Sequence, residues 1–448
     1  MGTDVRHAVV IGASMAGLAA ARVLADSFEA VTVIERDTLP RASGPRAGVP
    51  QGHHVHALLA LGAKVFEGYF PGLRAELERA GAPVWDWGEG LCAVLPHGTP
   101  PPTPMGMPIQ TFSRPLLEHV VRGRVAALEP VTLRDGLTVT GLRTSGPGKV
   151  TGVRVKHGDS EDEIVAALVV DASGRSSHLP QWLAALGLPD PRTTTVDAQI
   201  GYASRIYTYP EGQAAPSWMG LLQPLRAPDF HKGCYAIQIE NNVLHVTLHG
   251  AGGTQLPRTE DEFLAYAKSL PGPIADTIAS LTPASAVRRY ARTLNRKIAY
   301  HRLPRWPEGL IAMGDAVCTF NPAYGQGMTV AGLEARLLEQ TLRSQRARIP
   351  LDGHAFQKRL ARLTVSPWLM ATIPDRAWER SRLAWPVKAG NWFMNRLIDT
   401  VPHDPKLFTA FSSLFHMTAG PLTLADPRLL SRVLAGPPAG DNARTAAG

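Results

Sequence analysis

The sequence predicts an α/β protein: a Rossmann-like nucleotide-binding unit, an interleaved antiparallel β-sheet, and a helical C-terminal region. Three observations predict it. An apolar run, "HAVVI", meets the small-residue turn "GASMAG" and then a helical pattern. A second strand-loop-helix pattern, "GLIAMGDAVCTFNPAYGQGMTVAGLEARLL", recurs some 300 residues later. Between them, residues 195–255 hold several runs of alternating or β-branched residues, the signature of strands.

The first unit begins with a buried-strand pattern over residues 7–12, and Leu18, Ala21, Leu24 and Ala25 then continue at helical spacing. Gly12 permits a tight turn, Gly17 permits close packing of helix on strand, and the helix N-terminus presents unpaired N–H groups to a pyrophosphate. Ser14 stands where such turns usually carry their middle glycine. A second strand, "AVTVIER", ends in Glu35, about 20 residues beyond the turn, where an acidic side chain reaches a ribose hydroxyl.

In the middle of the chain, "AQIGYASRIYTY", "CYAIQIE" and "VLHVTLHG" read as strands, with Asn241 and Asn242 as a hairpin turn. Leu244, Val246 and Leu248 share one face of the last strand, and His245, Thr247 and His249 share the other, which is expected to look toward a pocket or water. Tyr202, Arg205, Tyr207, Trp218, Gln223, Tyr235 and His245 are the candidate substrate-pocket residues of this sheet. "PHGTPPPTPMGMP" is too rich in proline for a helix or central strand. From about 346 to 436 the pattern is mostly helical and aromatic, with Trp368, Trp378, Trp385, Trp392, Phe393, Phe411 and Phe415.

In the second strand-loop-helix unit the strand covers 309–313 and the helix starts near 327, with Val330, Leu333, Leu337 and Leu338 on one stripe. Asp315 at the strand end can accept a hydrogen bond from a polyol or ribose hydroxyl. Gly325 and Gly327 free the loop to bring backbone N–H groups against a planar ring, and the helix N-terminus favours negative charge there.

Composition narrows the remaining classes. A chain of 448 residues with 44% hydrophobic content buries a large core, and its net charge of +8 is spread without a basic block, which disfavours a nucleic-acid partner. The three cysteines lie far apart, so neither a disulfide framework nor a zinc ribbon is expected, and a cytoplasmic location is the default. His53, His54 and His56 cluster without acidic or cysteine neighbours in sequence, so no metal site is expected. No apolar run in the C-terminal region reaches spanning length.

"GASMAG" with Glu35, "VVDASGRSS" and "GDAVCTFNPAYGQGM" together resemble the FAD-dependent monooxygenases of the p-hydroxybenzoate hydroxylase fold. Within them, "GVPQGHHVHALLALGA", "SRPLLEHVVR", "LPQWLAALGLP" and "DAQIGYASRIY" are most similar to the squalene-epoxidase-like polyether epoxidases. The resemblance spans roughly residues 7–340. It implies a glutathione-reductase-type FAD domain from 1–190 and 285–345, a substrate sheet from 191–284 with parts of 50–110, and a C-terminal helical region from 346–448.

For the cofactor, it implies FAD contacts at Gly12, Ser14, Met15, Ala16, Gly17, Glu35, Arg36, Arg46, Arg114, Val139, Asp171, Gly174, Asp315, Pro322, Gly325, Gly327 and Met328. The implied reaction is epoxidation of a large apolar alkene, a polyene polyketide or terpenoid, with O2 and by way of a flavin hydroperoxide. No catalytic side chain is required, since the cofactor carries the chemistry.

One position departs from the aromatic hydroxylases, which carry an aspartate where this chain has Ser173. The electron donor, NADPH directly or a separate flavin reductase, is therefore open. An aromatic hydroxylase, flavin halogenase or prenyl reductase is the alternative enzyme. "WDWGEG" at 85–90 does not match the halogenase Trp-x-Trp-x-Ile-Pro pattern. A non-catalytic flavin-binding or membrane-associated module is the alternative of another class, because C-terminal helices of squalene epoxidases rest on membranes.

Overall fold

A computed structural model of the chain describes residues 6–146, 148–345, 351–379 and 385–438. The helical expectation for 346–350, 380–384 and 439–448 lies outside them. The first apolar run forms the strand His7–Ile11, central in a five-stranded parallel sheet. The strand order is Leu310–Ala312, Leu168–Asp171, His7–Ile11, Ala30–Ile34, Val131–Arg134. The helix Met15–Leu24 packs on it, and the strand Val150–His157 packs against Leu168–Asp171, so both faces are buried and these strands are near-continuous Val, Ile and Leu rather than alternating. Val9, Val10, Val33, Val169, Val170 and Ile311 are fully buried. Gly12, Glu35, Ala172 and Met313 all follow the carboxyl ends of these strands, the edge at which open α/β sheets bind ligands.

Beside this sheet, Thr138–Thr144, Val150–His157 and Ser160–Val165 form an antiparallel triplet. The middle of the chain builds a larger sheet in the order Thr282–Pro283, Gly201–Thr208, Val243–Gly250, Lys232–Ile239, Gly220–Gln223, Leu91–Ala93, with Arg288–Tyr290 also paired to Gly201–Thr208. Asn241 and Asn242 join two of its strands with φ of 63° and 52°, left-handed values that suit asparagine in a tight hairpin.

The two faces of this sheet have different cover. Leu244, Val246 and Leu248 pack under the helices Glu260–Lys268 and Ile274–Ala279 through Phe263, Ile274 and Ile278. His245, Thr247 and His249 look toward neither pocket nor water, contrary to the sequence expectation, and all are buried. The segment around His53–Val55 lies over them. His245 Nε2 meets the His53 carbonyl at 3.1 Å, the Val55 N–H donates to Thr247 Oγ1 at 2.9 Å, and His54 Nδ1 lies 2.7 Å from Ser204 Oγ. A polar strand face thus satisfies a loop that would otherwise bury unpaired backbone groups.

The C-terminal helices divide their packing. Gly353–Leu363 buries Phe356 and Leu360 in the core of the first sheet. Trp385–Thr400 and Pro405–Phe415 pack Leu397, Leu407, Phe408 and Leu414 against Trp85, Trp87, Leu91 and Leu222. Trp385 and Trp392 remain exposed at 79% and 55%. Among the described residues, no helix is long and apolar enough to cross a membrane.

Candidate functional site

A cavity of about 490 Å³ runs from the Gly12 turn, past the Asp315 loop, to an aromatic chamber under the C-terminal helices. At its first end Gly12 holds φ +101°, and a Cβ there would stand 2.5 Å from the Ala172 carbonyl oxygen. Ser14, Met15 and Ala16 line the cavity at the start of the helix Met15–Leu24, which has no side-chain cap bond and no acidic residue in its first turn. Its N–H groups are therefore open to an anion. Arg36, Val139 and Gly174 also face this end.

Two expected contacts fall behind the wall. Gly17 serves packing, since a Cβ would collide with the Gly12 carbonyl oxygen. Asp171 is fully buried and accepts bonds from Ser173 N (3.1 Å), Ser173 Oγ and Ser177 Oγ (2.6 Å), which fixes the turn after its strand.

Glu35, expected to hold a ribose, lines the cavity while accepting from Ala13 N at 2.9 Å and Asp37 N at 3.1 Å. It belongs to a buried ion cluster centred on Glu118, which the sequence expectations do not name. Arg46 pairs with Glu118 (2.6 Å), Asp37 (2.8 Å) and Glu35 (3.2 Å), and Arg114 Nη2 reaches Glu118 (2.6 Å) and Ser14 Oγ (2.9 Å). Burial pushes the Glu118 carboxyl up, but Arg114 and Arg46 outweigh it and hold the group below the usual range. Arg114 and Glu118 stand four residues apart on one helix, a spacing that signals the pair. Arg114 Nη1 is buried without a partner among the described residues, an open donor beside the cavity.

At the second end Gly314, Asp315, Pro322, Gly325, Gly327 and Met328 all line the cavity. The helix Gly327–Ser344 starts there with no side-chain cap bond, and Gln326 Oε1 and Thr329 Oγ1 are buried without partners among the described residues. Burial raises the Asp315 carboxyl, while Arg175 and Arg296 pull it back down. Behind the loop, Glu334 accepts from Gly314 N at 2.5 Å. Its burial, opposed by that bond and reinforced by Asp315, pushes it up to about 8, so it is mostly protonated at neutral pH.

The loop is clamped from outside by Asp375, on the helix Val365–Arg376. Its carboxylate accepts from Asn295 Nδ2 (2.6 Å), Asn321 Nδ2 (2.9 Å) and Tyr324 OH (2.6 Å). Asp375→Ala strands these donors and, if the loop holds FAD as the sequence leads one to expect, lowers its affinity for FAD about tenfold or more, since each unsatisfied group costs about 1–3 kcal/mol. Titration of the variant with FAD checks this, and unchanged affinity would show that the loop keeps its shape without the clamp.

The far end of the cavity is apolar. Trp85, Trp87 and Phe415 form a stacked wall with ring centroids 5.8 and 5.7 Å apart, and Leu91, Leu222 and Tyr235 complete the chamber. Of the sheet residues expected at a substrate pocket, Tyr235 lines this cavity. Tyr202 lies behind the loop, donating to Asn321 Oδ1 at 3.2 Å, and Gln223 is tied to Cys234 and His249. His245 sits under His53. Tyr207 and Trp218 occupy the core on the opposite face, where Arg205 pairs with Glu260. Strand alternation points Arg205 and Tyr207 away from the cavity, and Trp218 precedes the strand Gly220–Gln223 and turns into the opposite core. The aromatic wall lay in "WDW" and in a C-terminal helix that strand patterning could not join.

No family model matches the chain. Protein Rv3254 of Mycobacterium tuberculosis (strain ATCC 25618 / H37Rv) is 34% identical over 446 residues, which covers 94% of this chain and 93% of that protein. The chain belongs to the Rv3254 family. Solved structures with the same fold include the flavin-dependent brominase Bmp2, with a TM-score of 0.66 and 16% identity over 96% of this chain and 99% of that one. The myxobacterial chondrochloren halogenase CndH gives a TM-score of 0.63 and 17% identity, covering 92% and 96% of the two chains. PqsL, a probable FAD-dependent monooxygenase from Pseudomonas aeruginosa, gives 0.60 and 16%, covering 90% and 99%. The expected architecture, a Rossmann-like sheet with antiparallel sheets and C-terminal helices, is thus the fold of these flavin-dependent enzymes.

Proposed function

We propose that the chain is an FAD-dependent monooxygenase that epoxidises carbon-carbon double bonds of a large apolar molecule, a polyene polyketide or terpenoid. The observation that carries this reading is the continuity of one cavity from two uncapped helix N-termini to a wall of stacked aromatic rings. The open groups fit FAD: N–H groups at Ser14–Ala16 and Arg114 Nη1 for the pyrophosphate, Glu35 for a ribose, and Asp315 for the ribityl chain. Arg36 and Val139 flank the adenosine end, and Gly325, Gly327 and Met328 meet the ring system.

Bound FAD supplies the activation of O2. The chain's own residues exclude water and orient the alkene, with Trp85, Trp87 and Phe415 as the apolar wall. Burial of apolar surface, about 25 cal/mol per Å², favours a long apolar substrate over a small phenol. A halogenase reading takes support from the fold of Bmp2 and CndH, but no lysine is among the described residues lining the cavity. Ser173 leaves the electron donor open between NADPH and a separate reductase.

Incubation with reductant, labelled O2, and either a polyene or a simple phenol tests the reading. Label in a polyene epoxide supports it. Ring hydroxylation of the phenol with no polyene product would move the chain to the aromatic hydroxylases, and no turnover of either would leave a flavin-binding module. Asp315→Ala removes an acceptor worth about 1.5–3 kcal/mol when charged, so FAD affinity should fall about tenfold or more. Equal flavin content at low protein concentration would contradict the ribityl assignment.

A further inference from the structure

One polar side chain of the aromatic chamber, that of His416, has no partner for one of its nitrogens among the described residues. Trp85 Nε1 donates to Thr111 Oγ1 at 3.2 Å, Trp87 Nε1 to Ser412 Oγ at 3.1 Å, and Tyr235 OH to the Ala323 carbonyl at 3.3 Å. His416 also lines the cavity, edge-on to Trp87 with ring centroids 4.3 Å apart and 5.3 Å from Phe415. It is 1% exposed. The Ala60 N–H donates to His416 Nδ1 at 3.2 Å, and a backbone amide can only donate. The proton of the neutral ring is therefore on Nε2, and that atom is buried without a partner among the described residues. Burial holds the ring neutral, with its pKa pushed down to about 3. The bond to Ala60 explains Nδ1 as the cap of the helix Ala60–Tyr69, but it leaves Nε2–H unexplained.

We propose that His416 Nε2–H is the specificity donor of the chamber, and that the ligand is an apolar chain bearing an oxygen acceptor, a carbonyl, ether or hydroxyl, that docks against the stacked wall of Trp87 and Phe415. This deepens the substrate class proposed above and rests on that reading only in placing the substrate in the same cavity. A pure hydrocarbon fills the chamber but leaves the buried donor unsatisfied. A ketone of the same skeleton satisfies it and fixes the register of the chain relative to the rest of the cavity.

The test needs no turnover. The protein as purified, without reductant, is titrated with geranylacetone and with the hydrocarbon of the same skeleton lacking the carbonyl, following tryptophan fluorescence. The ketone is expected to bind about tenfold more tightly. His416→Asn keeps an acceptor near the position of Nδ1 for Ala60 and removes the far donor, so the ratio should fall to about one with hydrocarbon affinity kept. His416→Gln, which places an amide N–H near the position of Nε2, should restore part of it. The proposal is overturned if the wild-type protein shows no preference, if neither ligand binds, or if His416→Asn keeps the preference. Failure of the oxygenase reading looks different: the binding preference persists while no labelled oxygen enters any product.

Discussion

Gly12→Val is expected to yield protein that carries no flavin and melts well below the wild type or fails to fold. The residue holds φ +101°, a conformation valine adopts only under strain, and a Cβ there would meet the Ala172 carbonyl oxygen at 2.5 Å and the Ser173 Cα at 3.1 Å. Both neighbours are backbone, so neither can turn aside as a side chain could. The Gly12 N–H also donates to the Ile34 carbonyl at 2.7 Å, which ties the turn to the adjacent strand. Strain and collision together cost several kcal/mol, a large share of the 5–15 kcal/mol that separates folded from unfolded chains. Ser14→Gly is the matched control. It removes one acceptor of Arg114, which keeps Glu118, so folding and FAD binding should survive with at most a few-fold loss. Thermal melting and flavin content of the two variants, measured side by side, check this. A Gly12→Val protein that is yellow and melts normally would contradict the turn's role.

The second large effect is acid sensitivity. Burial holds His54, His249 and His416 neutral, with pKa values pushed down to about 3, and His56 and His245 to about 4. Unfolding returns all five to about 6.5. Their neutral forms favour the folded state, so the stability they contribute is fully present above about pH 6.5 and is lost as pH falls toward 4. Each contributes up to about 1.4 kcal/mol per pH unit across that window. Buried carboxyls oppose them, since burial raises Asp171 and Asp315 as well as Glu334 and Asp375. Glu334, raised to about 8, and Asp375, raised to about 6, are chiefly buried carboxyls that favour folding when protonated, and their contribution is lost as pH rises. The five histidines outnumber the raised carboxyls, so on balance stability falls as pH drops below about 6. The melting temperature should therefore fall steeply between pH 6.5 and 5. A flat profile over that interval would show that the histidines are hydrated in solution.

The parallel sheet and its two glycine turns were legible because they rest on local signals: apolar runs, small residues at fixed offsets, and helical stripes that start where the turns end. The hairpin at Asn241 and Asn242 was legible for the same reason. What escaped was assembled across the chain. Asp375 acts on a loop some fifty residues earlier, and Glu118 acts as an anion hub only because Arg46 arrives from another segment. Tyr207 and Trp218 read as pocket residues from composition alone, yet strand alternation put Tyr207 in the core, and the loop before Gly220–Gln223 turned Trp218 into it. The histidine face of Val243–Gly250 was misread because alternation reveals two faces but not what covers the second. Trp87 and Phe415, at opposite ends of the sequence, meet only through tertiary packing.

The central claim is that the cavity between the two glycine turns holds FAD, and equilibrium titration tests it most directly. Protein stripped of flavin and titrated with FAD should bind one equivalent per chain, with a shift of the flavin absorbance and a rise in melting temperature, and Arg114→Ala should weaken binding about tenfold or more by removing the open Nη1 donor. Absence of saturable FAD binding by folded wild-type protein would contradict the account.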